Sequence, residues 1–240
     1  MQQIIGAALR RQRRATVIAV TVGLATALLI AWADAAGYGL GLLDFAPLLI
    51  FAGAVLYQLS WRPSAAGLRV DESVRAFFAP PASIGFNPFV IGYLVYQYVR
   101  SVWLLSGLGG WLLAAGSVLI GLMVLMLWRR VPYVVLTPEG LVHCRHNGLW
   151  VIPWAAVDPS RPVGLPHSGR TVSVPVARPE LITGSRPRWW VGVIAMRGLD
   201  VAPALLAGAI WYYLTNPQAR PTIGTSAGYA RLHAALGGGS

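Results

Sequence analysis

The run His143-Cys144-Arg145-His146 is where the sequence gathers side chains of metal-ligating or nucleophilic type. On a strand, alternation sends Cys144 and His146 to one face and His143 and Arg145 to the other. Two ligands on one face leave a tetrahedral zinc site half filled, and no second cluster of Cys or His completes it. A Cys–His nucleophilic pair would need a third group to orient the base, and none is evident. The run therefore reads as a strand with one wet face. No GxSxG, HExxH or P-loop pattern occurs, nor a pair of facing carboxylates, so no catalytic residue, metal or cofactor is expected. All 19 basic residues are Arg, which removes lysine chemistry altogether, and the single Cys144 excludes an intrachain disulfide.

The remaining charges suggest binding. Arg161, Arg170, Arg178, Arg186 and Arg188, with His167, lie between Pro159 and Trp189 against Glu180 alone. They read equally as contacts to anionic lipid, at about 1 kcal/mol for each Arg near the headgroups, or as a solvated rim. The net charge of +11 suits a membrane surface, and nucleic acid is not an expected partner. Asp34, Asp44 and Arg100 sit in apolar surroundings, where an isolated charge is costly, and are candidates to pair with one another. An ion path would need ionisable groups along the whole bilayer, which the apolar runs do not offer.

The elements that carry these residues are mostly apolar: 56% of the chain is hydrophobic and 11% charged. Four hydrophobic spans are expected, arranged as hairpins over 15–60 and 84–130 around a polar loop at 61–83. The first apolar run, from Ala15 to Ala36, exceeds the length of a signal-peptide core and is read as retained. Arg10, Arg11, Arg13 and Arg14 precede it and Arg129-Arg130 follow the last. The positive-inside rule then places both termini in the cytoplasm, in a multi-pass protein of the cytoplasmic membrane. Gly110, Ala114, Ser117 and Gly121 share one face of a helix, as do Ala19, Gly23, Ala27 and Ala31. Such small faces serve either packing within the chain or docking on another membrane subunit. Phe86, Phe89, Tyr93, Tyr96, Arg100 and Trp103 form a stripe best read as packing.

Beyond Pro132 the pattern shortens to YVVLT, LVHCR and LWVIPW, separated by Pro138-Glu139-Gly140 and Asn147-Gly148, which predicts a three-stranded meander. TVSVPV at Thr171–Val176 and Trp190–Met196 are further strand candidates. Asp200 and Pro203 signal a helix ending near Thr215-Asn216-Pro217, and this start signal argues against a fifth span over Trp189–Leu214. Residues 217–240 read as a tail, with a linker-like end at 237–240.

This meander, with its L-T-P-E-G turn and I-P-W ending, and the closing LDVAPALLAGAIWYYLTNPQAR resemble bacterial, actinobacterial-type membrane-anchored proteins with a pleckstrin-homology-like (PH-like) domain. The likeness covers about 132–220. It implies a bent antiparallel sheet or partial barrel closed by a C-terminal helix over 131–216, serving to dock lipid or protein. The expectation is therefore a membrane α-helical protein with about four spans and a small α+β cytoplasmic domain. Its function would be that of a non-enzymatic accessory or scaffold subunit, with membrane lipids and an integral membrane protein as partners. A small transporter or channel component is the alternative, and a lipid-modifying enzyme a more distant one.

Overall fold

The computed structural model of the chain describes residues 1–38, 46–59, 64–82, 87–104, 110–185 and 191–237. It divides into two units. One comprises Met1–Ala8, Arg62–Ser83 and Arg130–Ser240; the other comprises Leu9–Trp61 and Ile84–Arg129.

The second unit is helical: α1 (Gln2–Ala35) from Leu9 onward, α2 (Ala46–Leu59), α3 (Asn87–Leu104) and α4 (Gly110–Arg129). The expectation of about four spans is corrected here. Among the described residues only α1 is long and apolar enough to cross a bilayer, with a mean hydropathy of 2.1 over its best stretch. The 14 residues of α2 extend about 21 Å, short of the roughly 30 Å of hydrocarbon. The 18 residues of α3 carry Gln97, Arg100 and three tyrosines, and the described apolar stretch of α4, Ala114–Arg129, is shorter than a span. The multi-pass reading falls with this count. Apolar runs interrupted by turns look like hairpins of spans in sequence, but a helix bundle needs the same residues to pack on itself.

Inside this unit α1 and α3 approach closely at small residues. A Cβ on Gly92 would lie 2.8 Å from the Ala19 carbonyl oxygen, and one on Gly23 would collide with the Gly92 backbone. One turn on, Ala27 and Ile30 pack with Tyr96. Ile91 and Val95 of α3 meet Leu127 of α4, with Val20 of α1 against them. The C-terminal carbonyls of α4, which lack helical partners, are met from α1: Gln12 bonds Leu127 O and Arg13 Nε donates to Trp128 O at 3.0 Å.

The other unit is built on a six-stranded antiparallel sheet in the order β1-β2-β3-β4-β5-β7, beside a two-stranded sheet of β6 and β8. The strands are β1 (Arg69–Asp71), β2 (Ala76–Ala79), β3 (Tyr133–Leu136), β4 (Gly140–Arg145), β5 (Gly148–Pro153), β6 (Thr171–Ser173), β7 (Thr183–Gly184) and β8 (Val193–Ala195). The meander β3-β4-β5 forms where its turns are written: Thr137 and Gly140 exchange backbone hydrogen bonds at 2.8 and 3.2 Å across Pro138-Glu139.

The polar loop expected at 61–83 supplies two of the strands. β2 pairs with β3 through Phe77↔Leu136, Phe78↔Val135 and Ala79↔Val134. All four β2 residues are buried because both faces of the sheet are covered there. Phe77 meets Tyr213 and Tyr229 at ring-centroid distances of 6.1 and 5.6 Å. On the opposite face Phe78, Ala76 and Val135 pack against Met1, Ile4 and Ile5, in the first turns of α1. The sheet unit is thus assembled from three separate stretches of chain rather than from 131–216.

Its C-terminal part is also ordered past the expected boundary. α5 (Pro203–Thr215) begins with Pro203 as read, and is largely buried. A 3-10 turn at Pro217–Thr222 and α6 (Ser226–Ala235) then replace the expected tail. Asp200 does not cap α5. Its carboxylate accepts from Ser64 Oγ at 2.8 Å, and its backbone N–H donates to Pro80 O.

Candidate docking surface

Within the His143–His146 run, His143 and Cys144 are buried in the sheet, whereas Arg145 and His146, at the end of β4, are half-buried. His143 faces Trp150 at 5.7 Å between centroids and is 3% exposed. Burial, then the Arg145 charge, depress its imidazole to about 4, the Val191 backbone opposing, so it is neutral near pH 7. Its Nδ1 has no hydrogen-bond partner. Cys144 is 4% exposed on the opposite face, beside Tyr133, and burial pushes its thiol up. Burial, then Cys144, push the Tyr133 phenol up to about 12. His146 meets Arg130 O through Nδ1 at 2.8 Å, and burial lowers its pKa. No thiolate or poised base results. Among the described residues no three His, Cys, Asp or Glu gather as metal ligands would.

The described loop arginines, Arg161, Arg170 and Arg178, do not form one cluster. Arg178 donates its backbone N–H to Ala156 O at 3.1 Å, past the end of β5, and Val157↔Val176 pairs beside the turn that leads to Arg161. Arg170, in contrast, accepts from Met196 N at 3.0 Å at the start of β6. Eight residues of near-extended chain, up to about 26 Å, separate Arg170 from Arg178. Arg186 and Arg188 lie outside the described residues.

Arg69, Arg130, Arg145, His146 and Arg197 escaped notice as a group because they are scattered in sequence. Register places them together. Arg69 opposes Phe78 near the end of β2, and Arg145 closes β4 opposite the start of β5. Arg130 precedes β3 and donates to Ser185 Oγ at 3.4 Å, and Ser185 Oγ also accepts from Leu149 N at 3.1 Å. Arg197 lies beside Gly198, whose carbonyl takes Ala82 N–H at 2.9 Å. Arg170 joins this end through Met196.

The acids sit mostly at the other end. Asp71 and Glu72 close the β1–β2 hairpin, Glu139 the β3–β4 turn, and Asp158 and Glu180 flank the segment after β5. Their charge is engaged locally. Asp71 pairs with the Met1 ammonium at 2.5 Å, which with Ser73 draws its carboxyl down to about 2. Glu72 accepts from Ser226 Oγ at 2.6 Å, and Asp158 from Ser160 Oγ at 2.6 Å.

In the helical unit the two small-residue faces have different fates. Ala19, Gly23 and Ala27 of α1 are used against α3. On α4, Ser117 Oγ meets Tyr98 Oη at 2.5 Å, but Ala114, Ser117 and Gly121 are exposed, and a Cβ on Gly121 would meet nothing within 4 Å. Gly110, at the start of this face, lies outside the described side chains. Val118, Leu122 and Leu125 beside it are 61, 49 and 42% exposed.

The aromatic stripe of α3 divides. Tyr93 stacks on Phe51 at 4.2 Å and Tyr96 is buried, whereas Phe89 is exposed. Phe86 and the Trp103 side chain are outside the described set. Arg100 donates to Tyr96 Oη at 2.8 Å. Asp44 also lies outside the described residues.

No protein-family model, curated protein or solved structure matches this chain.

Proposed function

We propose that this chain is a non-enzymatic docking protein anchored in a membrane by α1, an accessory or scaffold subunit whose sheet unit is a PH-like domain. The observation that carries the reading is the exposed small-residue face of α4 at Ala114 and Gly121, beside the Ser117 that bonds Tyr98. A face of this kind lets a second helix approach backbone to backbone, and contiguous exposed apolar side chains mark membrane or partner contacts.

The flanks of α1 support the anchor. Arg13 lies over the Trp128 ring at 5.2 Å, and Trp32 and Tyr38, both exposed, meet at 6.3 Å near the other end. Arg14 and Trp32 are about 27 Å apart along the helix, near the thickness of the hydrocarbon layer. Interfacial arginines and aromatics at that separation are what a crossing helix carries. Within the most apolar stretch of α1, 28% is buried in the protein, which leaves most of it for lipid or a partner.

The test is extraction of the full chain in mild detergent, with mass spectrometry of what remains bound in stoichiometric amount. Gly121→Leu fills open space and leaves intrachain packing alone. It should release the partner, whereas Leu at Gly121 with the partner retained, or a wild-type chain free of partners, would count against the reading.

A further inference from the structure

We infer that the basic end of the sheet unit, formed by Arg69, Arg130, Arg145, Arg170 and Arg197 with His146, is a contact surface for the anionic headgroups of a membrane. The inference rests on the reading of α1 as a membrane anchor and adds which end of the domain meets the lipid.

Three observations lead there. The first is charge separation along the strands. Five arginines stand at this end against one acid, Asp200, whose carboxylate accepts from Ser64 Oγ. Five of the six acids of this unit, Asp71, Glu72, Glu139, Asp158 and Glu180, lie towards the opposite end, beside Arg75, Arg161, Arg178 and Arg220. The five acids there are matched by these four arginines and the Met1 ammonium, whereas at this end five arginines stand against one acid.

The second is fixation by backbone. Arg145 belongs to β4, Arg197 to a 3-10 turn tied to Ala82, and Arg130 to a stretch held by His146 and Ser185. Arg130, Arg145 and Arg197 are thus half-buried charges fixed by backbone beside the exposed Arg69 and Arg170, so less side-chain and loop entropy is lost on contact.

The third is chain path. The chain enters β1 through 64–68, leaves β2 through 80–82 and enters β3 through 130–132, all at this pole. These are the places where it passes between the sheet unit and the helical unit. α1, by contrast, starts at the acidic end, where Met1 meets Asp71. The segments that join this unit to the apolar helices thus leave from its basic pole. Headgroup attraction falls off within a Debye length of about 8 Å, so only charges held that close contribute.

The test uses the full chain reconstituted in vesicles of phosphatidylcholine alone or with 30% phosphatidylglycerol, read by amide hydrogen exchange. Exchange at 145–148 and 196–199 should slow in the anionic vesicles and recover in 0.5 M salt. The triple variant Arg69→Gln, Arg145→Gln, Arg197→Gln should lower the docked-to-undocked ratio about fivefold per arginine, roughly 100-fold in all, and erase the difference between the lipids. Arg161→Gln with Arg178→Gln, at the opposite pole, should leave it intact.

Two outcomes overturn the inference by itself: equal exchange in both vesicle types, or equal loss from the two sets of variants. A chain that does not float with either vesicle overturns the anchor as well.

Discussion

Gly92 of α3 stands against Ala19 of α1 so closely that a methyl group on Gly92 would lie 2.8 Å from the Ala19 carbonyl oxygen. Backbone cannot retreat from such a contact as the tip of a long side chain could. Gly92→Val is expected to cost about 1–3 kcal/mol through overpacking, read as a lower midpoint of thermal unfolding in detergent. Gly121→Leu, on the open face of α4, should leave that midpoint within about 0.5 kcal/mol of wild type. Equal loss in both variants would mean that α4 is also covered within the chain.

A fragment spanning 131–240 should not fold cooperatively. It lacks β1, β2 and the first turns of α1, so the edge of β3 is left unpaired and Tyr213 loses Phe77. Removal of a single buried Phe costs about 3–5 kcal/mol, against a total stability of about 5–15 kcal/mol for a typical domain. A urea titration followed by circular dichroism should show no sigmoidal transition for 131–240. Joining residues 64–82 ahead of it through a flexible linker should restore one.

The difference between β2 and the meander marks what could be read in the sequence. β3, β4 and β5 announce themselves because Pro138-Glu139-Gly140 and Asn147-Gly148 punctuate alternating runs, and local turn chemistry is written locally. Ala76-Phe77-Phe78-Ala79 has no alternation, since the first turns of α1 cover one face and α5 and α6 the other. Its charged neighbours Asp71, Glu72 and Arg75 look like loop residues until their partners are known: Met1, Ser226 and the Pro221 carbonyl, each remote in sequence. The same limit hid the basic pole, which exists only once strand register is set. The spans were overcounted because hydropathy measures apolar content and cannot distinguish a lipid-facing residue from one packed on a neighbouring helix, as Ile91, Val95 and Leu127 are.

Cys144 should be slow to react. Its thiol is buried, with Sγ 3.7 Å from Arg145 O and its ionisation suppressed by burial, and the thiolate is the reactive form. Alkylation by iodoacetamide at pH 8 should proceed at least about tenfold more slowly in the folded chain than in urea, with one equivalent taken up after unfolding. Rapid labelling of the folded protein would show that β4 opens readily, and it would remove the argument that this run takes no part in chemistry.

His143 should make the sheet unit acid-sensitive in a defined window. Burial lowers its folded pKa from 6.5 to about 4, so the unfolded chain binds the proton more readily between those values. For a histidine with a depressed folded pKa, stability is fully retained above about pH 6.5. It then falls as pH drops and levels off below about 4. At 1.36 kcal/mol per unit the loss is roughly 3 kcal/mol, and His146, depressed in the same direction, adds to it. Urea midpoints at pH 7.5 and 4.5 measure the drop. His143→Gln keeps a neutral polar side chain and removes the titration, so its midpoint should fall much less over the same interval. An unchanged acid slope in His143→Gln would show that other groups, with the carboxylates first among them, carry the whole effect.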